Sequence, residues 1–69
     1  MVGTALAEIT LAAARVNKGY TQEEAAKLIG VTADTLRNYE KGRTFPDIAV
    51  IKRIEDVYGV PYSQLKFLP

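Results

Sequence analysis

Residues 21–42 read TQEEAAKLIGVTADTLRNYEKG, and no other stretch of the chain leaves so few folds open. Two short helical patterns follow one another, joined by Gly30-Val31-Thr32. A Thr stands before each pattern and a Gly after each. Thr21-Gln22-Glu23-Glu24 has the form of a capping box, in which the Thr21 hydroxyl reaches forward and the Glu24 carboxylate reaches back. Glu23 and Glu24 also suit the positive end of the helix dipole. Thr32 is placed to cap the next helix, with Ala33 and Asp34 in its first turn. Val31 and Leu36 occupy the positions of a hydrophobic staple. Neither helix is long enough to persist alone in water, so the two must share a core. Ala26 sits where they should cross, and a larger side chain there would push them apart.

The flanking sequence supplies partners for that core. A first helix is expected over residues 4–17, with Thr4 as its N-cap. Its apolar positions are Leu6, Ile9, Ala12, Ala13 and Val16, with Leu11 alongside. Alanines raise its helix propensity, and Gly19 suits a left-handed end. Residues 43–46 form a loop, in which Phe45 and Pro46 are read as core closure and helix-start geometry. Asp47 caps a fourth helix over residues 48–58, whose apolar stripe is Ile48, Ile51, Ile54, Val57 and Tyr58, with Val50 nearby. Lys52, Arg53, Glu55 and Asp56 fall on its solvent side, and Gly59 closes it. Pro61 favours a fifth short helix over residues 62–66. With no β-alternation, repeat or linker, the expectation is all-α: one compact five-helix domain over residues 1–69, with the central motif at 21–42.

Composition narrows the chemistry. At 69 residues the chain suits one small domain. It contains no Cys and no His, so disulfides, thiolate metal sites and the commonest general base are all excluded. No nucleophile–base pair or Gly-rich phosphate loop is present, and an enzyme is not expected. Neither is a metal, a cofactor or a small-molecule ligand. No signal peptide or membrane-length apolar run is found, so a cytoplasmic protein is expected. The net charge is only +1, so global charge does not mark a nucleic-acid binder and the argument must rest on where the charges lie.

Arg15, Thr21-Gln22-Glu23-Glu24-Ala25-Ala26, Ile29-Gly30-Val31-Thr32, Leu36, Tyr39-Glu40-Lys41-Gly42, Pro46 and Tyr58-Gly59-Val60 together resemble the Cro/C1-type helix-turn-helix family of phage and bacterial repressors. The likeness covers residues 9–66 and implies a lambda-repressor-like DNA-binding fold. It implies an ion pair between Arg15 and Glu40 that ties the third helix to the first. It also implies that the Gln22 amide contacts the DNA backbone and braces the recognition helix, at a helix start where N–H groups favour phosphate.

The third helix would then lie in the major groove, with Ala33, Asp34, Thr35, Arg37 and Asn38 nearest the bases. Asn38 suits adenine, Arg37 guanine, Asp34 cytosine N4, and Thr35 and Ala33 a thymine methyl. Several repressors of the family it resembles carry Gln at the Ala33 position, whereas Ala offers no hydrogen bond. Asp34 also has a role that needs no DNA, since an acid in the first turn favours the helix dipole. Thr32, Lys41, Arg43 and Thr44 join Gln22 as phosphate contacts, with Lys18 and Lys27 as weaker candidates. The implied partner is a pseudo-palindromic double-stranded operator, bound by a homodimer with half-sites about 34 Å apart. An antitoxin-like or adaptor module of the same fold is the alternative. Leu65, Phe67 and Leu68 are read as sealing the core or forming a dimer patch.

Overall fold

Side-chain caps decide where the helices of this chain begin. The computed structural model describes residues 8–68. Within them, α1 spans Leu11–Asn17, α2 Gln22–Ile29, α3 Ala33–Glu40 and α4 Ile48–Tyr58. Thr10, Thr21, Thr32 and Asp47 each accept a hydrogen bond from the N–H three residues on. Each thereby satisfies one of the donors that a helix start leaves open. At Thr21 the box is complete: Glu24 N–H donates to the Thr21 hydroxyl at 3.1 Å and Thr21 N–H donates to Glu24 Oε1 at 2.9 Å.

The first helix begins later than the sequence suggests. Thr4 lies outside the described residues, and the cap of α1 is Thr10. Ile9–Thr10 instead forms a short strand, β1, parallel to β2 at Leu65–Lys66, with Ile9 opposite Leu65 and Thr10 opposite Lys66. The same ladder removes the expected fifth helix. A single 3-10 turn forms at Tyr62–Gln64, after which Leu65 takes extended backbone angles to join β1. The described residues thus hold four α-helices, not five.

The core is built from Leu11 and Ala14 of α1, Ala25, Ala26 and Ile29 of α2, Leu36 and Tyr39 of α3, Val50, Ile54 and Tyr58 of α4, and Leu65. In α1 the buried face is Leu11–Ala14 rather than the expected Ala12, Ala13 and Val16, and Val16 is 62% exposed. At 3.6 residues per turn the two faces lie roughly half a turn apart. In α4 the inward row is Val50, Ile54 and Tyr58, spaced at i, i+4 and i+8. Ile48 stands 72% exposed, off the stripe expected for it.

Ala26 is buried and its carbonyl closes α2, accepting from both Gly30 N–H (2.8 Å) and Val31 N–H (3.0 Å). Gly30 turns there with φ 91°, a conformation that costs other residues about 1 kcal/mol or more. That turn sends the chain directly into the Thr32 cap, so α2 and α3 are joined with no slack.

Candidate nucleic-acid interface

The C-terminal end of α3 is held by a polar clamp. Glu40, its last residue, receives Arg15 Nε on Oε2 at 2.7 Å and Arg15 Nη2 on Oε1 at 3.4 Å. Gln22 Nε2 donates to Oε1 at 2.9 Å. A carboxylate only accepts, so the amide must turn its nitrogen toward Glu40. Arg15 also donates through Nη1 to the Tyr20 carbonyl at 2.9 Å. One guanidinium thus joins α1, the turn before α2 and the end of α3. The Arg15 and Glu40 side chains are 15% and 7% exposed, so the pair is largely removed from water.

The Tyr58 phenol interacts electrostatically with both charges. Burial pushes its pKa up, the Glu40 charge pushes the same way, and Arg15 opposes them. Its hydroxyl is buried without a hydrogen-bond partner among the described residues.

Beyond the clamp the chain leaves α3 through a tight reversal. Gly42 takes φ 74°, Gly42 N–H donates to the Tyr39 carbonyl at 3.1 Å, and Arg43 N–H donates to the Asn38 carbonyl at 3.0 Å. This pair of bonds is the Schellman arrangement, which requires a left-handed residue at the Gly position. It leaves Lys41, Arg43 and Thr44 exposed in succession. Neither cation forms an ion pair among the described residues.

The N-terminal part of α3 is polar and open. The Thr32 hydroxyl accepts from Thr35 N–H at 3.1 Å and donates to Thr35 Oγ1 at 2.8 Å. Its proton is committed within the helix, so the Thr35 hydroxyl is the one left to donate outward. Arg37 Nη1 donates to Asp34 Oδ1 at 2.5 Å, one turn back along the same helix. Asn38 is half-buried. Ala33 is half-buried and packs against the core, so only part of its methyl faces outward.

Some connections carry little trace in the sequence. Arg53 is exposed on α4, as expected, and its Nε also donates to the Ile29 carbonyl at 2.6 Å, which holds α4 to the last turn of α2. A guanidinium near a helix end can reach the carbonyls that the end leaves open. Glu55, also placed on the solvent side, accepts the Tyr62 N–H at 2.6 Å. The Gln22–Glu40 bond joins two residues already singled out, but as partners of one another.

Phe45 does not close the core as expected. Pro46 is buried, whereas Phe45 is 59% exposed and packs at a tilt against Phe67, with ring centroids 4.9 Å apart. Tyr62 approaches Phe67 at 5.8 Å. Phe45 and Tyr62, with Pro46, Ile48 and Ile51, border an apolar groove whose lining includes the charged Asp47, Lys52 and Glu55.

No cluster of potential metal ligands occurs among the described residues, and no helix there is long and apolar enough to cross a membrane. The helix-turn-helix family pattern matches residues 11–65. The chain is 39% identical over 51 residues to the cryptic phage CTXphi transcriptional repressor RstR of Vibrio cholerae, covering 74% of this chain and 46% of that protein. It is 38% identical over 48 residues to the uncharacterized HTH-type transcriptional regulator YazB of Bacillus subtilis, covering 70% of each. It is 36% identical over 52 residues to the HTH-type transcriptional regulator ImmR of Bacillus subtilis, covering 75% of this chain and 41% of that protein. The chain therefore spans less than half the length of RstR and ImmR. No solved structure matches it significantly.

Proposed function

This chain belongs to the helix-turn-helix family of the Cro/C1 type, and we propose that it is a sequence-specific DNA-binding transcriptional regulator of the phage-repressor kind. It is a binding protein rather than an enzyme. Residues 1–69 act as one DNA-binding domain, in the cytoplasm, on a pseudo-palindromic operator. The observation that carries this reading is the clamp. Arg15, Gln22 and Glu40 fix the tilt of α3, so its outward side chains are presented from a rigid platform. Thr35, Arg37 and Asn38 read base edges from that platform. Lys41, Arg43 and Thr44 hold phosphate beyond its end, and Gln22 adds its second amide N–H. Thr32 contributes mainly by orienting Thr35.

Two copies bind together. The apolar face at Phe45, Ile48 and Tyr62 begins where the Arg43–Thr44 phosphate loop ends. It is the surface we assign to two-fold pairing, which half-sites about 34 Å apart require of two recognition helices. The same exposed face is what favours the second reading, an adaptor or antitoxin-like module that binds protein in place of an operator.

Selection from a randomised duplex pool separates the two. A regulator enriches a two-fold symmetric site, and its affinity falls with salt by about 0.9 log unit per log unit for each phosphate neutralised. Arg43→Ala reduces that slope by about 1 and weakens all duplexes alike. A pool that yields no enriched site leaves the adaptor reading standing and the regulator reading without support.

A further inference from the structure

We infer that Asp34 is a positioning residue for base recognition, acting through Arg37; the inference rests on the regulator reading above. An acid at the front of a groove-reading helix is a liability, because it meets the phosphate field before any base. Here the acid is not alone. Arg37 Nη1 donates to its Oδ1 at 2.5 Å, with the Asp34 side chain 78% and the Arg37 side chain 42% exposed. The direction is the one a helix imposes, since long side chains lean back toward the N-terminus, over the preceding turn. The guanidinium is thereby drawn along α3 toward the end that enters the groove.

Three consequences follow from the chemistry. The pair has no net charge, so it contributes little to sequence-independent attraction for phosphate. Nε and Nη2 keep their N–H donors, which suffices for a bidentate contact to guanine O6 and N7. Pairing also restricts a long, flexible side chain before DNA arrives, which lowers the ordering cost of the contact. The Asp34–Arg37 unit therefore adds discrimination without adding general affinity, whereas Lys41 and Arg43, exposed and in no ion pair among the described residues, do the reverse.

The test is a double-mutant cycle on the duplex that the wild-type protein enriches, with each guanine of that duplex replaced in turn. Arg37→Ala identifies the guanine whose replacement no longer matters. At that base Asp34→Asn is expected to lose roughly tenfold in preference, while its affinity for unrelated duplex rises severalfold. In the Arg37→Ala background, Asp34→Asn should leave that preference unchanged. Thermal unfolding of Asp34→Asn should stay near wild type, because an exposed pair contributes little to stability.

Three results overturn the inference with the regulator reading intact. In the first, Asp34→Asn strengthens all duplexes and keeps the guanine preference, so Asp34 only holds Arg37 back. In the second, Asp34→Asn changes base preference without Arg37, so the carboxylate reads a base itself. In the third, the enriched site has no guanine sensitive to Arg37. A pool with no enriched site removes both readings together.

Discussion

The α2–α3 unit and the seam between β1 and β2 hold the same small domain together by opposite means. In α2–α3 nearly every determinant is local. Thr21 caps through Glu24, Thr32 caps through Thr35, and Gly30 turns the chain between them. At the seam, Ile9–Thr10 meets Leu65–Lys66 across almost the whole chain, through two residue pairs and a buried Leu65. The first region is coded by residue types at short spacings; the second exists only because the core has already brought distant segments together. The Arg15–Glu40 clamp belongs to both, since it is a long-range contact that locks the local unit to α1.

That contrast can be broken first at the clamp. A domain of this size has a total stability of roughly 3–10 kcal/mol. Glu40→Ala leaves the Arg15 charge and the Gln22 amide without their shared acceptor in a site largely closed to water. The expected loss is about 3–5 kcal/mol, a large share of that total. Urea denaturation followed by circular dichroism measures it. A loss under about 0.5 kcal/mol would place the pair with ordinary surface ion pairs and detach α3 from α1 in energetic terms. Leu65→Ala tests the seam and should cost about 2–4 kcal/mol, as for other buried leucines. A cost below about 1 kcal/mol would mean that the ladder follows the fold without supporting it.

The same contrast explains what could be read from the residues. The limits of α4 were legible because Asp47 and Gly59 mark them chemically. The turn of the motif was legible because Gly30 and Thr32 leave the backbone few alternatives. The start of α1 was not, because Thr4 and Thr10 are both capping residues before alanine-rich sequence, and local propensity does not choose between them. The choice is made by Leu65 and Lys66, more than fifty residues away, and a two-residue strand carries no alternation to detect. The fifth helix failed for the same reason: segment 62–66 has helical residues but is drawn into the ladder after one turn. At the candidate interface the outward residues of α3 could be placed by periodicity. Their pairings could not, because Arg37 has an acid three residues to either side, Asp34 and Glu40, and only side-chain geometry selects Asp34.

The smallest expected effect lies at Tyr58, where the clamp meets the core. Its ring is among the largest fully buried side chains, yet its hydroxyl has no hydrogen-bond partner among the described residues. A buried unsatisfied hydroxyl costs about 1–3 kcal/mol of desolvation. Tyr58→Phe keeps the ring and removes that cost, so it should leave stability unchanged or raise it by about 1 kcal/mol at neutral pH. The pH dependence supplies an independent check. Burial and the Glu40 charge raise the Tyr58 pKa above its ordinary value. The folded state therefore holds the phenol proton more tightly than the unfolded chain does. This contribution is fully present below about pH 10 and is lost as pH climbs from there toward the raised folded value. The comparison is between wild type and Tyr58→Phe, which differ only in that hydroxyl. Stability of the wild type should fall more steeply above about pH 10 than that of the variant. Parallel curves, or a variant clearly weaker than wild type at neutral pH, would mean that the hydroxyl is satisfied and that the clamp end of the core is more polar than its packing implies.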